Sequence, residues 1–86
     1  MESHRDTLKR QYTTLIAAFN AAFPSIEPPL PDWWILWLSK YDFGDIRDAI
    51  EKLSRHELKD RFSQESTGRA ISSLLRDAAL RKAVLS

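Results

Sequence analysis

A chain of 86 residues, 43% hydrophobic and 29% charged with only two glycines, has room for one core and lies outside the composition of disordered chains. Thirteen Lys and Arg against twelve Asp and Glu leave a formal net charge of +1, which excludes capture of nucleic acid or an anionic membrane by a global field and confines any such site to a local patch. The absence of cysteine excludes disulfide frameworks, thiolate nucleophiles and Cys-type zinc sites. The polar start Met1 to Asp6 lacks the form of a signal peptide, and no segment approaches the ~20 apolar residues that span a bilayer, so a cytoplasmic protein with no membrane partner is expected.

In chain order, Leu8, Tyr12, Leu15, Ile16, Phe19, Ala22 and Phe23 recur at offsets of three and four, which predicts a first helix over about 3–23, stopped by Pro24. Pro24, Pro28 and Pro29 then predict a stiff, extended connection. Pro31 and Asp32 suit the first turn of a second helix over about 31–41, on which Trp34, Trp37, Leu38 and Tyr41 share a face. Because Ile35, Trp33 and Leu36 extend the apolar surface most of the way round, this helix is expected to be the most deeply engaged or to present part of its surface to a partner.

Asp42 is a candidate N-cap, with Asp45 approximating a capping box, for a third helix over about 43–59 whose stripe is Ile46, Ala49, Ile50 and Leu53. Its other face pairs Asp48 with Lys52 and Glu51 with Arg55 at helical spacing. Phe62 is expected to plug the bundle end. Ser66 or Thr67 is the expected cap of a fourth helix over about 67–84, with Ala70, Ile71, Leu74, Leu75, Ala78 and Leu85 as its stripe. The expected fold is therefore all-α, a single four-helix domain covering residues 1–86 with a proline-rich connection between helices 1 and 2.

Chemistry is sparse. His4 lies near the terminus, and His56 reads as a solvated helix residue. The acids Asp42, Asp45, Asp48 and Glu51 lack the glycine-centred loop of a calcium site, and two glycines cannot build a phosphate loop. No catalytic, cofactor-binding or metal-binding set emerges, and a non-enzymatic protein without cofactors is expected.

Two surfaces compete as binding sites. Trp34 and Trp37 read as core. Trp33, beside the proline segment, is expected either to pack on Pro28 or Pro29 or to lie exposed as an anchor, so Pro28, Pro29, Trp33 and Leu36 form a candidate protein interface. From residue 61 onward the five cations Arg61, Arg69, Arg76, Arg81 and Lys82 outnumber Glu65 and Asp77, and the last two helices have the general form of a helix-turn-helix. These five are the candidate nucleic-acid contacts of a DNA-binding alternative. Against it, the connection is longer than the usual tight turn, and helix 4 offers no Asn or Gln for reading bases.

The pattern Trp34-x-x-x-Leu38-x-x-Tyr41-Asp42-Phe43-x-Asp45-Ile46-x-x-Ala49-Ile50 resembles the helical N-terminal domain of phage-type replicative-helicase loaders and inhibitors. The resemblance covers about residues 8–80. It implies a non-enzymatic adaptor that contacts a replicative helicase or an origin-binding protein in a phage or prophage. The chain departs from the family in lacking its long polar tail and the proline before the last helix, so the scaffold alone carries over. The leading expectation is a small helical protein-interaction module. DNA binding and homo-oligomerisation through helix 2 are the alternatives.

Overall fold

Four amphipathic segments fold as four helices in the computed structural model, which describes residues 4–85: α1 (His4–Ala22), α2 (Pro31–Lys40), α3 (Phe43–Ser54) and α4 (Gln64–Leu85), with one 3-10 turn at Lys59–Arg61. The expected start of α1 at Ser3, and the side chain of His4, lie outside the described residues. No strand occurs among them, so the chain is a single small all-α domain.

The helices alternate in direction. Trp33 of α2 packs on Gly68 of α4, and the Trp37 indole N–H donates to the Ser72 hydroxyl at 2.8 Å, so these two helices run parallel. The start of α3 meets the end of α4 through Lys82, whose ammonium lies 2.5 Å from the Asp45 carboxylate and 3.7 Å from that of Asp42. Phe19 of α1 meets Trp34 edge-on with ring centroids 6.1 Å apart.

The core is made of the predicted stripes. Leu15, Phe19, Phe23, Trp34, Trp37, Ile46, Ala49, Ile50, Leu53, Ile71 and Leu75 are buried. Each large aliphatic or phenyl side chain among them stabilises the fold by about 1.5–3 kcal/mol relative to exposure. The two buried indoles keep their N–H groups satisfied, since Trp34 donates to the Pro29 carbonyl at 2.9 Å and Trp37 to Ser72. Among the described residues no buried side-chain nitrogen or oxygen lacks a partner.

Several boundaries differ from expectation for local reasons. The α1–α2 connection opens with a turn, in which the Ile26 N–H donates to the Phe23 carbonyl at 3.2 Å, so it is not extended throughout. Helix α3 ends at Ser54 rather than near Lys59. The next positions on its stripe are His56 and Glu57, which bury nothing, and the His56 Nδ1 accepts the Leu58 N–H at 3.1 Å, a donor that a continued helix would spend on the backbone.

Helix α4 starts at Gln64, three residues before the expected start, because Ser63 is the cap. Its hydroxyl accepts the Ser66 N–H at 3.1 Å, and the Ser66 hydroxyl accepts the Ser63 N–H at 2.7 Å. This is a reciprocal capping box with serine in the place of the usual Glu or Gln. Thr67, the other expected cap, is fully buried and bonds the Gln64 carbonyl instead. Leu85 is 86% exposed and lies outside the stripe of α4.

Asp42 occupies the N-cap of α3, but its side chain makes no capping hydrogen bond, and Asp45 turns to Lys82 rather than completing a box. Glu51 and Arg55 pair at 2.6 Å as expected, whereas Asp48 and Lys52 form no ion pair among the described residues. Phe62 is half-buried against the core and meets His56 edge-on. The widest packing belongs to α3, which lies against both α4 and α1, and not to α2. Helix α2 buries two residues and leaves Ile35 and Leu36 exposed.

Candidate functional site

Helix α2 carries two stripes. One, Trp34, Trp37, Leu38 and Tyr41, faces the core. The other, Trp33, Leu36, Trp37 and Lys40, follows the same three- and four-residue spacing about 100° round the helix and faces α4. Between this stripe and α4 lies a groove of about 380 Å³.

From α2 and the residue after it, Trp33, Leu36, Trp37, Lys40 and Tyr41 line the groove; from α4, Arg69, Ser72, Ser73 and Arg76 do so. Arg69 and Arg76 are seven residues apart, so they lie within about 20° of one another on the helix and roughly 10 Å apart along its axis. Arg81 lies about 140° round from Arg76, and Lys82 about 120° round in the other sense.

The floor is rigid. Trp33 is held between the backbone of Gly68 and the Trp37 ring, whose centroid is 5.7 Å from its own. Trp33 is therefore not fully exposed, and its packing partners are Gly68 and Trp37. It is a half-buried wedge between two helices.

The proline segment is fastened separately. Pro29 is buried and its carbonyl accepts the Trp34 indole N–H, while the Pro28 carbonyl accepts the Gln64 amide at 2.9 Å. Burial removes Pro29 from the expected interface and leaves Pro28 half-buried. Leu36 is 43% exposed at the groove and, with Leu30, lines a shallower dent beside Trp33.

The five candidate cations do not form one patch. Arg69 and Arg76 line the groove, Arg61 lies in the 3-10 turn before α4, and Arg81 lies near the far end of α4 beside exposed Leu80, Val84 and Leu85. Lys82 is committed to Asp45 and Asp42. The hydrogen bond that the Lys82 ammonium donates to Asp45 is the largest cause of a Lys82 pKa raised above its ordinary value; desolvation opposes it, and the charges of Asp45 and Asp42 add to it. Arg69 also pairs with Glu65 at 2.6 Å, but both side chains are mostly exposed. Such a pair is worth at most about 1 kcal/mol and yields readily to a better partner.

Lys40, Tyr41, Ser72 and Ser73 were not among the expected site residues. Lys40 was legible as the fourth member of the stripe that begins at Trp33. The two serines carry no signal of their own until α4 is laid beside α2.

A second groove, of about 580 Å³, lies between α1 and α2. It is lined mainly by apolar side chains, Leu8, Tyr12, Pro31, Ile35 and Leu38. Among the described residues no cluster of three or more His, Cys, Asp or Glu side chains is placed to hold a metal ion, and no helix is long and apolar enough to cross a membrane. Comparison with family models, curated proteins and solved structures finds no match to this chain.

Proposed function

We propose that the chain is a small, non-enzymatic, cytoplasmic interaction module that binds a protein partner through the face of α2 turned toward α4, with Trp33 and Leu36 as its anchors. The observation that carries this reading is the state of Trp33. It is a large aromatic side chain, half-buried and packed against Gly68 and the Trp37 ring, next to an exposed Leu36. Ordered aromatic anchors of this kind supply most of the energy of protein interfaces, because little side-chain entropy is left to lose on binding. Chemical-shift mapping with a captured partner tests the proposal: contacts should fall within residues 25–41, and contacts confined to other segments overturn it.

The likeness to helicase loaders would make that partner a replicative helicase or an origin-binding protein of a phage or prophage. Four residues of the motif, Trp34, Ile46, Ala49 and Ile50, are buried core. The motif therefore speaks for the scaffold, and the partner's identity needs its own evidence. A gene neighbourhood of replication proteins and co-purification with the helicase would supply it; a regulator locus and no co-purification would remove it.

DNA binding is the second reading, supported by Arg69 and Arg76 on one face of the groove with Lys40 opposite. It predicts salt-dependent affinity for duplex DNA that falls when both arginines are neutralised. A flat titration at low salt eliminates it. Self-association has its own support in the apolar groove beside exposed Ile35. Sedimentation showing a monomer at high concentration eliminates that.

A further inference from the structure

Three cations, Lys40, Arg69 and Arg76, line the groove between α2 and α4, and no Asp or Glu lines it. The nearest acids are Glu65, in an exposed pair with Arg69 at 2.6 Å, and Asp32, which lines the adjoining dent with Trp33 and Leu36. We infer that the occupant of the groove is an acidic amphipathic helix of a protein partner, whose apolar side chains meet Trp33 and Leu36 while its carboxylates meet these three cations. The inference rests on the interaction-module reading and adds the chemistry of the partner.

Geometry favours a helix. The two walls are parallel helices, and Arg69 and Arg76 stand two turns apart, roughly 10 Å along α4. A helix laid along the groove brings carboxylates at positions i and i+7 opposite the two guanidiniums, while apolar residues at i+1, i+5 and i+8, about 100° round, reach the floor. Guanidinium forks match carboxylates two bonds at a time, which fixes the register of such a helix.

Single-stranded nucleic acid fits less well. Sequence-tolerant binding of single strands depends on open aromatic faces for base stacking. Here Trp37 is 1% exposed, and Trp33 packs against Gly68 and the Trp37 ring, which leaves only part of its surface open. The cations would hold phosphates, but the aromatic floor offers the bases little.

The test is a display library of random peptides of about 18 residues, roughly five helical turns, panned against the full chain at low salt. Selected sequences should be enriched in Asp and Glu flanking apolar residues at three- and four-residue spacing. They should perturb Trp33 and Leu36 in chemical-shift maps, and should lose about tenfold or more in affinity for the R69A/R76A double variant and on raising salt. The charge-reversed R69E/R76E chain should instead enrich Lys and Arg; both arginines are exposed, so circular dichroism should report an unchanged fold.

Apolar peptides without an acidic bias that still map to Trp33 would overturn the acidic partner while leaving the interaction module standing. Peptides that map nowhere on α2, or no enrichment at all, overturn both. An oligothymidylate that displaces the peptide and binds the groove more tightly overturns the inference in favour of single-stranded nucleic acid.

Discussion

The Trp33 indole rests directly on the backbone of Gly68: a β-carbon at position 68 would lie 3.0 Å from its Cε2, 3.1 Å from Nε1 and 3.2 Å from Cδ2. Gly68 is a helical residue with no requirement for positive φ, so its role is space rather than backbone freedom. Alanine in a helix interior is ordinarily favoured over glycine by about 1 kcal/mol. In Gly68→Ala that gain is set against a displaced indole, and the net change in stability should stay below about 1 kcal/mol, while the tryptophan fluorescence shifts and partner affinity falls. A full stabilisation with unaltered fluorescence would contradict the contact.

Gly44 provides the control. A β-carbon there meets nothing within 4 Å, so Gly44→Ala should raise stability by roughly 0.5 kcal/mol, less than in a helix interior because it lies in the first turn of α3. Urea denaturation of the two alanine variants side by side reads the difference.

Trp34 is the residue whose loss should be felt most. It is fully buried and ties the core to the connection before α2 through the Pro29 carbonyl. Trp34→Ala should cost about 3–5 kcal/mol, a large fraction of the 5–15 kcal/mol total of a typical domain. Trp34→Phe keeps most of the ring but orphans a buried carbonyl, and should cost about 1–3 kcal/mol. A loss below 1 kcal/mol for the alanine variant, measured by denaturant titration, would be incompatible with this packing.

Ser63 caps α4, so Ser63→Ala should cost about 1 kcal/mol and increase amide exchange at Ser66. Thr67→Ala should also destabilise, but as a core substitution: it removes a buried methyl group as well as the hydroxyl bond to Gln64. If Thr67 were the cap, Ser63→Ala would leave exchange at Ser66 unchanged.

Lys82 links the end of α4 to the start of α3 and should make that contact sensitive to alkali. Its folded-state pKa is raised, so the stabilisation is fully present below the ordinary lysine pKa and disappears as pH rises through the folded value. Amide exchange near the end of α4, compared with an internal reference amide in α3, should increase selectively only above the ordinary lysine value of 10.5. Lys82→Met should show the faster exchange already at neutral pH and lack the selective alkaline increase.

The helices were legible because their apolar residues repeat at three and four, and Phe19, Ile46, Ile50, Ile71 and Leu75 all went to the core as that spacing requires. The ends of α3 and α4 were not. They depend on His56 accepting the Leu58 N–H and on a Ser63–Ser66 box that lacks the usual Glu or Gln. The groove was half legible: Trp33, Leu36, Arg69 and Arg76 were each singled out, but in two separate sites. Their union depends on α2 and α4 lying parallel, with the Trp33 indole packed on Gly68 and Trp37 bonded to Ser72. No pattern within one helix reports that.

The fastening of residues 28 and 29 bears on where the molecule accepts new sequence. The Pro28 carbonyl holds Gln64 and the Pro29 carbonyl holds Trp34, so lengthening this connection would pull on α4 and the core together. The turn at residues 55–58, largely exposed and outside the packed stripes, is the better place for an inserted tag or reporter domain. A reporter spliced there would leave both fastenings of the proline segment in place.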